Sequence, residues 1–488
     1  MEKSGNETVL KSLQGGGRVS KYDSCSSRSE GSDKCILIYT FILNTFFLLA
    51  SFLGAIYTNE VDFFENLIRI ITSPAKLVTD YFALGGLGSA FFNAAVCGFL
   101  TSIILVFVRR KINATTLAAY LLGVAHCFYG LNFVNMWPAF LGVITFCLLT
   151  KRSISENIHI ALFATALGPF VSEFIFRYTN PDELNTGGVQ VSLWGILIAL
   201  AFGISVGFIL PALLPGTTKM HRGFNMYKAG LSLGLLGIFL YNFFYDTFGI
   251  KSPQNLIIEN EAYYSLPYSY RAFMNTFFIV LFLLTVLLGY LLNNRSFRGY
   301  IELTRDSGYG TDFLDRYGMP VCLINIGVLG LCIIAYLNLI FILPEIFPAL
   351  PKGVGFTGAT VGVVFAALTF SADGQQPRNV APIALGYTLL FLLVSAVCTA
   401  LGMNIPWTLS TQSYINGLAF STGLCPISGK YGVWAGTLAG FLSAIICTAT
   451  ADMHGGLVLY NGGFTAGLTA LVLIPIFDFY NVKMKKTK

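Results

Sequence analysis

Two stretches of this chain set hydroxyls and amides among apolar neighbours. One is Asn404-Ile405-Pro406-Trp407-Thr408-Leu409-Ser410-Thr411-Gln412-Ser413-Tyr414-Ile415-Asn416, and the other is Asn132-Phe133-Val134-Asn135-Met136-Trp137-Pro138. Both contain Trp and Pro, and neither carries a full charge. Such groups offer hydrogen bonds to a solute without requiring a counter-charge. At membrane depth they survive only where protein buries them or where they line a cavity. Ser410, Thr411, Gln412 and Asn416, with Trp407, Asn135 and Trp137, are therefore the candidate lining of a pathway for a small neutral or weakly charged solute. Hydrogen bonding between packed helices is the competing use of the same groups.

A second set opens two apolar runs. Met220-His221-Arg222-Gly223-Phe224-Asn225-Met226-Tyr227-Lys228-Ala229-Gly230 matches Met453-His454-Gly455-Gly456-Leu457-Val458-Leu459-Tyr460-Asn461-Gly462-Gly463 at an offset of 233. A neutral imidazole both donates and accepts, which suits a polar solute or a proton relay. His221, Tyr227, Lys228, His454, Tyr460 and Asn461 are thus secondary candidates, placed near opposite membrane faces where water satisfies the histidines. The bland alternative is close helix packing through the glycines. A Lys inside hydrocarbon costs about 2.5–3.5 kcal/mol on insertion scales, so Lys228 must face protein or water. Glu173 and Arg177, one turn apart, read as an interfacial anchor. No metal site and no catalytic residues are expected, because no second His or carboxylate sits at ligand spacing and no nucleotide, zincin or hydrolase motif occurs. No cofactor is assigned.

The elements that must hold these residues follow from composition. Of 488 residues, 55% are apolar and only 11% charged, against about 25% charged in a soluble domain, and the mean hydropathy is +0.69. That excludes a soluble enzyme, a disordered chain and a nucleic-acid-binding fold. The ten cysteines show no CxxC spacing and read as small buried hydrophobes.

Runs near 20 residues cross the roughly 30 Å hydrocarbon layer as helices. Clear ones lie at 35–57, 83–108, 158–177, 191–213, 223–245, 272–292, 318–343, 380–402, 431–451 and 457–479, and weaker ones at 113–131, 135–150, 354–370 and 406–424. The sequence therefore predicts an all-α polytopic membrane protein with about 12–14 transmembrane helices. Lys and Arg cluster at 109–111, 151–152, 219–222, 295–316 and 483–488, in alternate loops. The positive-inside bias then puts both termini in the cytoplasm of a multi-pass cell-membrane protein.

Thr79-Asp80-Tyr81-Phe82 also matches Thr311-Asp312-Phe313-Leu314, at an offset of 232. With His221 inside and His454 outside, the repeats run in opposite directions, an arrangement recurrent in secondary transporters. The expected organisation is a disordered cytoplasmic tail over 1–34, a leading helix at 35–57, a first repeat at 79–245, a connecting helix at 272–292, a second repeat at 311–480 and a basic tail at 481–488.

The motif His454-Gly455-Gly456-Leu457-Val458-Leu459-Tyr460-Asn461-Gly462-Gly463-Phe464-Thr465-Ala466-Gly467 resembles a family of uncharacterised multi-spanning membrane proteins, a domain of unknown function found mainly in anaerobic Gram-positive bacteria. That family implies no activity. More remotely, the seam from Asn461 to Gly467 is similar to urea-transporter repeats, which would imply two inverted halves around a pore. Lys228 in place of Asn461, and the larger number of spans, depart from that pattern.

The expected function is a transporter or channel for a small polar solute, with the lipid bilayer as the other partner. A coupling ion and a homo-oligomeric state are both compatible with it. The alternatives are a membrane-embedded enzyme acting on a lipid-linked substrate, or a structural membrane protein without a pathway.

Overall fold

The computed structural model describes residues 30–108, 112–178, 191–253 and 267–485. The expectations for the tail up to residue 29, the basic run at 109–111 and the end of the basic tail at 486–488 lie outside these residues. Every element of regular structure among the described residues is helical.

The first half of the chain forms α1 (Glu30–Thr58), α2 (Phe63–Thr72), α3 (Tyr81–Val108), α4 (Ala114–His126), α5 (Trp137–Leu149), α6 (Ile154–Ala164), α7 (Gly168–Phe176), α8 (Leu193–Met220) and α9 (Lys228–Tyr241). The second forms α10 (Pro267–Leu292), α11 (Tyr300–Arg305), α12 (Phe313–Ile346), α13 (Gly358–Ala367), α14 (Pro377–Ala400), α15 (Gln412–Ser421), α16 (Cys425–Tyr431), α17 (Val433–Ile446) and α18 (Asn461–Phe479).

All fourteen apolar segments are helical over at least part of their length. Nine helices among the described residues, not twelve to fourteen, are long and apolar enough to cross a bilayer. The shorter apolar helices are α4, α5, α13 and α17, of 13, 13, 10 and 14 residues. At 1.5 Å per residue, α4 and α13 cover about 20 and 15 Å, well short of the hydrocarbon thickness. Protein surrounds both: α13 is buried at every residue, and most of α4 is buried too. The long helices instead expose Leu197, Leu200 and Ile204 of α8 and Leu385, Leu389 and Leu392 of α14. A water-soluble surface does not tolerate such stripes. The chain is an all-α polytopic membrane protein.

The packing pairs of the first half of the chain have parallels in the second. α1 lies on α3 and α10 on α12; α5 lies on α8 and α14 on α17; α4 packs on α6 and α13 on α15. Both α3 and α12 break near their starts, at Gly86 (φ +82°) and Gly318 (φ +80°), 232 positions apart. With ψ near 170° and 161°, that backbone is accessible essentially to glycine alone. In α3 the amides freed by the break are met by Glu60, which accepts from Gly88 N at 2.8 Å and Ser89 N at 3.1 Å.

Charged residues take part in two groups of contacts that tie helix ends and loops together. Arg222 pairs with Asp478 at 2.6 Å, Tyr309 donates to the Arg222 carbonyl, and Lys485 N donates to the Lys430 carbonyl. The end of α8, the loop before α12, the end of α16 and the chain's last described residues therefore share one basic end. Contacts of Lys76 with Ser252 and Pro253 tie two loops together, and the Arg271–Glu345 pair joins the start of α10 to the end of α12.

Candidate functional site

The polar stretch 404–416 is irregular as far as Thr411 and helical from Gln412. Thr411 Oγ1 accepts from Thr408 N at 3.1 Å, and the Ser410 carbonyl accepts from Val354 N at 2.8 Å. Trp407 stacks on Tyr414 with centroids 3.6 Å apart. Gln412 Oε1 accepts from Thr357 Oγ1 at 2.7 Å and Thr360 Oγ1 at 3.3 Å, while its Nε2 donates to Asn416 Oδ1 at 2.8 Å. Thr357 is the N-cap of α13. Gln412 and Asn416 are therefore brought to the start of the short buried helix, where both remain half-buried.

Asp80 reaches the same place from the other half of the chain. Its Oδ1 accepts from Gly358 N at 2.7 Å and from Phe82 N at 2.9 Å, in a position only 3% exposed. Ser410 points elsewhere, against Gly353, and the Thr408 and Ser410 hydroxyls are buried without a partner.

Asn135 and Trp137 form a different kind of feature. Asn135 Oδ1 accepts from Asn132 N at 2.8 Å, and its Nδ2 donates to the Gly130 carbonyl at 2.8 Å and Ser172 Oγ at 2.9 Å. The Trp137 indole donates to the Phe133 carbonyl at 2.8 Å. These polar groups clamp the turn between α4 and α5.

A similar clamp occurs at 376–382. There Asn379 Oδ1 accepts from Gln376 N at 3.0 Å, and its Nδ2 donates to the Gly374 carbonyl at 2.9 Å. The shared signal was legible as Asn135-Met136-Trp137-Pro138 beside Asn379-Val380-Ala381-Pro382. Two further asparagines escaped the sequence reading. Asn93 in α3 donates to the carbonyls of Cys127 and Leu131, and Asn325 in α12 to those of Ser371 and Gln375, all at 2.7–2.9 Å. Each is fully buried and holds the turn after a short helix. A lone amide inside an apolar run, 232 positions from its twin, is the signal that could have found them.

The histidines are not at wet membrane faces. His221 and His454 are both 0% exposed, because each sits in a turn tucked back against the helices. Neither ring nitrogen of His221 has a partner, whereas His454 Nε2 lies 3.0 Å from Asn461 Oδ1. Lys228 opens α9 and is exposed although both its neighbours are buried. Its charge acts on His159, His221 and Asp373.

Between the halves, α9 and α18 cross backbone on backbone. A Cβ on Gly230 would meet Gly463 at 2.4 Å, and one on Gly463 would meet Gly230 at 3.1 Å. One turn away, the Tyr227 and Tyr460 rings stand 5.6 Å apart, edge to face. Met226 N donates to the Gly423 carbonyl and Leu459 N to the Ala166 carbonyl, each at 2.9 Å. Each half thus hooks onto the break in the other half's divided helix, α15–α16 or α6–α7. The Glu173–Arg177 pair, read as an interfacial anchor, is instead buried to 1% on both sides at 2.8 Å.

The family model described as protein of unknown function (DUF1576) matches residues 59–245 and 292–479, and the chain belongs to that family. The two matched stretches begin 233 positions apart. No curated protein and no solved structure matches, so the urea-transporter likeness gains no support.

Proposed function

We propose that this DUF1576 protein moves a small polar solute across the membrane through the interface of two inverted halves. One observation carries the reading. Two short helices, α4 and α13, pack against each other inside the protein, and each ends in an irregular turn clamped by an asparagine of a long neighbour. Discontinuous helices meeting at a repeat interface are where secondary transporters place their sites. Irregular backbone at membrane depth also needs protein or a cavity around it.

The inversion is supported by the twin breaks at Gly86 and Gly318, the Gly230–Gly463 crossing and the reciprocal hooks at Met226 and Leu459. A residue that meets its own equivalent marks a two-fold contact. On this reading each half contains seven helical passes, so the second runs opposite to the first. α1 and α10 are then equivalents rather than a leader and a connector, since each packs on the broken helix of its own half. The solute path runs past Gln412, Asn416 and Asn461 on one side and Lys228 and His159 on the other.

Both termini face the cytoplasm, because the basic end of the bundle carries Arg222, Arg316, Lys430 and Lys485. Flux across liposomes holding the purified chain tests the function. Protein-dependent movement of a small polar solute is expected, and its absence across neutral, anionic and cationic probes refutes the proposal.

A further inference from the structure

His126, at the end of α4, is 1% exposed, and neither of its ring nitrogens has a partner. Tyr129 and Tyr460 are 1% and 0% exposed, and both phenol hydroxyls are likewise unpartnered. The three form one cluster: the His126 ring lies 5.5 Å from that of Tyr129 and 6.1 Å from that of Tyr460, both edge to face. Tyr227 completes the group at 5.6 Å from Tyr460, but its hydroxyl is engaged with the Ala366 carbonyl at 2.6 Å. Four polar atoms of three side chains in one cluster of rings thus have nothing to bond, at the contact between the two halves. Buried polar atoms are otherwise almost always paired, and each exception calls for a cause.

Packing does not supply that cause. The turn that clamps Asn135 recurs at Asn379, and at this offset of 244 the equivalent of His126 is Phe370. Phe370 meets Tyr227 edge to face at 4.8 Å, as His126 meets Tyr460. An apolar ring therefore fills the same place in the other half, and the imidazole is there for its nitrogens.

Charge is also missing: among the described residues no hydrogen bond or ion pair brings a charged side chain to any of the three. A neutral imidazole and two phenols provide three donors and a nitrogen lone pair, with no counter-charge for an ion.

We infer that His126, Tyr129 and Tyr460 form an occluded binding site, midway along the solute path, for a small uncharged solute with both a hydrogen-bond acceptor and a donor. This rests on the transport reading and adds to it a site and a charge class.

The test uses the full chain in liposomes and three probes of one size: acetamide, acetate at pH 8 and acetamidinium at pH 6. Acetamide is expected to show the largest protein-dependent flux. His126→Phe, which copies the other half, should lower that flux about five- to tenfold, as should Tyr129→Phe with Tyr460→Phe, which removes only hydroxyls; these are the losses of one or two hydrogen bonds. Retained circular dichroism and a monodisperse elution confirm the fold of each variant. Unchanged acetamide flux in both variants overturns the site, as expected of a cluster holding only structural water, and leaves the transport reading standing. Preference for either ion overturns the charge class. No protein-dependent flux of any probe overturns the transport reading and the site with it.

Discussion

Glu173 and Arg177 illustrate how burial changes the weight of a residue pair. At i and i+4 on an exposed helix they would be worth a few tenths of a kcal/mol. Here both side chains are 1% exposed, so removing one strands a charge. Glu173→Leu should destabilise the protein by about 3–5 kcal/mol, read as a fall in melting temperature in detergent, while Glu173→Leu with Arg177→Met recovers most of the loss. A single variant as stable as the parent would show that water reaches the pair.

Gln412 acts differently, since its amide joins α15 to the cap of α13. If solute passes there, Gln412→Leu and Asn416→Leu should change the ratio of fluxes between probes, whereas His454→Gln should change mainly the rate. Unchanged ratios in both variants, with altered ratios in His454→Gln, would move selectivity to the histidine. The hydroxyls and amides at 404–416 were visible as a concentration of polar groups. Their division into a cluster at α13 and two unpartnered hydroxyls was not, because it depends on which face of an irregular segment meets Thr357.

Glycine sets the geometry of whole elements at a few positions. Gly318 breaks α12 at φ +80°, a region that costs other residues on the order of 1–3 kcal/mol. Gly318→Ala should lower stability by that amount, measured by thermal denaturation, and Gly86→Ala should do the same in α3. At the α9–α18 crossing the limit is space. A side chain at Gly230 would run into the Gly463 backbone, so Gly230→Val should abolish a monodisperse elution, whereas Gly216→Val, with open space around its Cβ position, should not. If Gly230→Val elutes normally, the two helices do not meet there. The small-residue spacing Gly230/Gly234 and Gly463/Gly467 announced close crossings. That one crossing joins the two motifs to each other is a tertiary fact.

For the molecule as a whole, the shared basic end makes a topology testable. In a background with Cys25→Ser, Cys35→Ser and Cys332→Ser, Arg222→Cys and Met484→Cys should react from the same side of native membranes, and Lys352→Cys only from the other. The first two positions lie at the end held by the Arg222–Asp478 pair and the Lys485–Lys430 bond, whereas residue 352 lies next to the segment that Ser410 holds at Val354. Labelling of residues 222 and 484 from opposite sides would refute the shared basic end. Labelling of both only from outside would invert the proposed orientation.

The apolar runs by themselves determined that the chain enters a membrane as helices, and where. Each of the fourteen segments proved helical over at least part of its length, since hydrocarbon leaves a backbone few other ways to satisfy its own polar groups. The matches at both ends of the halves raised the expectation of a repeat, on which the proposed function rests. The sequence did not reveal which middle residues correspond. The offset of 232 between Asn93 and Asn325 becomes 244 between Asn135 and Asn379, and returns to 233 at Tyr227 and Tyr460. Half of that shift of 12 arises because α12 has 34 residues where α3 has 28, and half in the connection to the short helix that follows; α14, with 24 where α5 has 13, raises the offset further. α17, with 14 where α8 has 28, takes the excess back. Helix length can change without moving a packed contact, because the extra turns extend into lipid or water. Only the tertiary contacts, which constrain the places where polar groups must find partners, decided that His126, Tyr129 and Tyr460 lie together and that the histidines of the repeated motif lie apart from them.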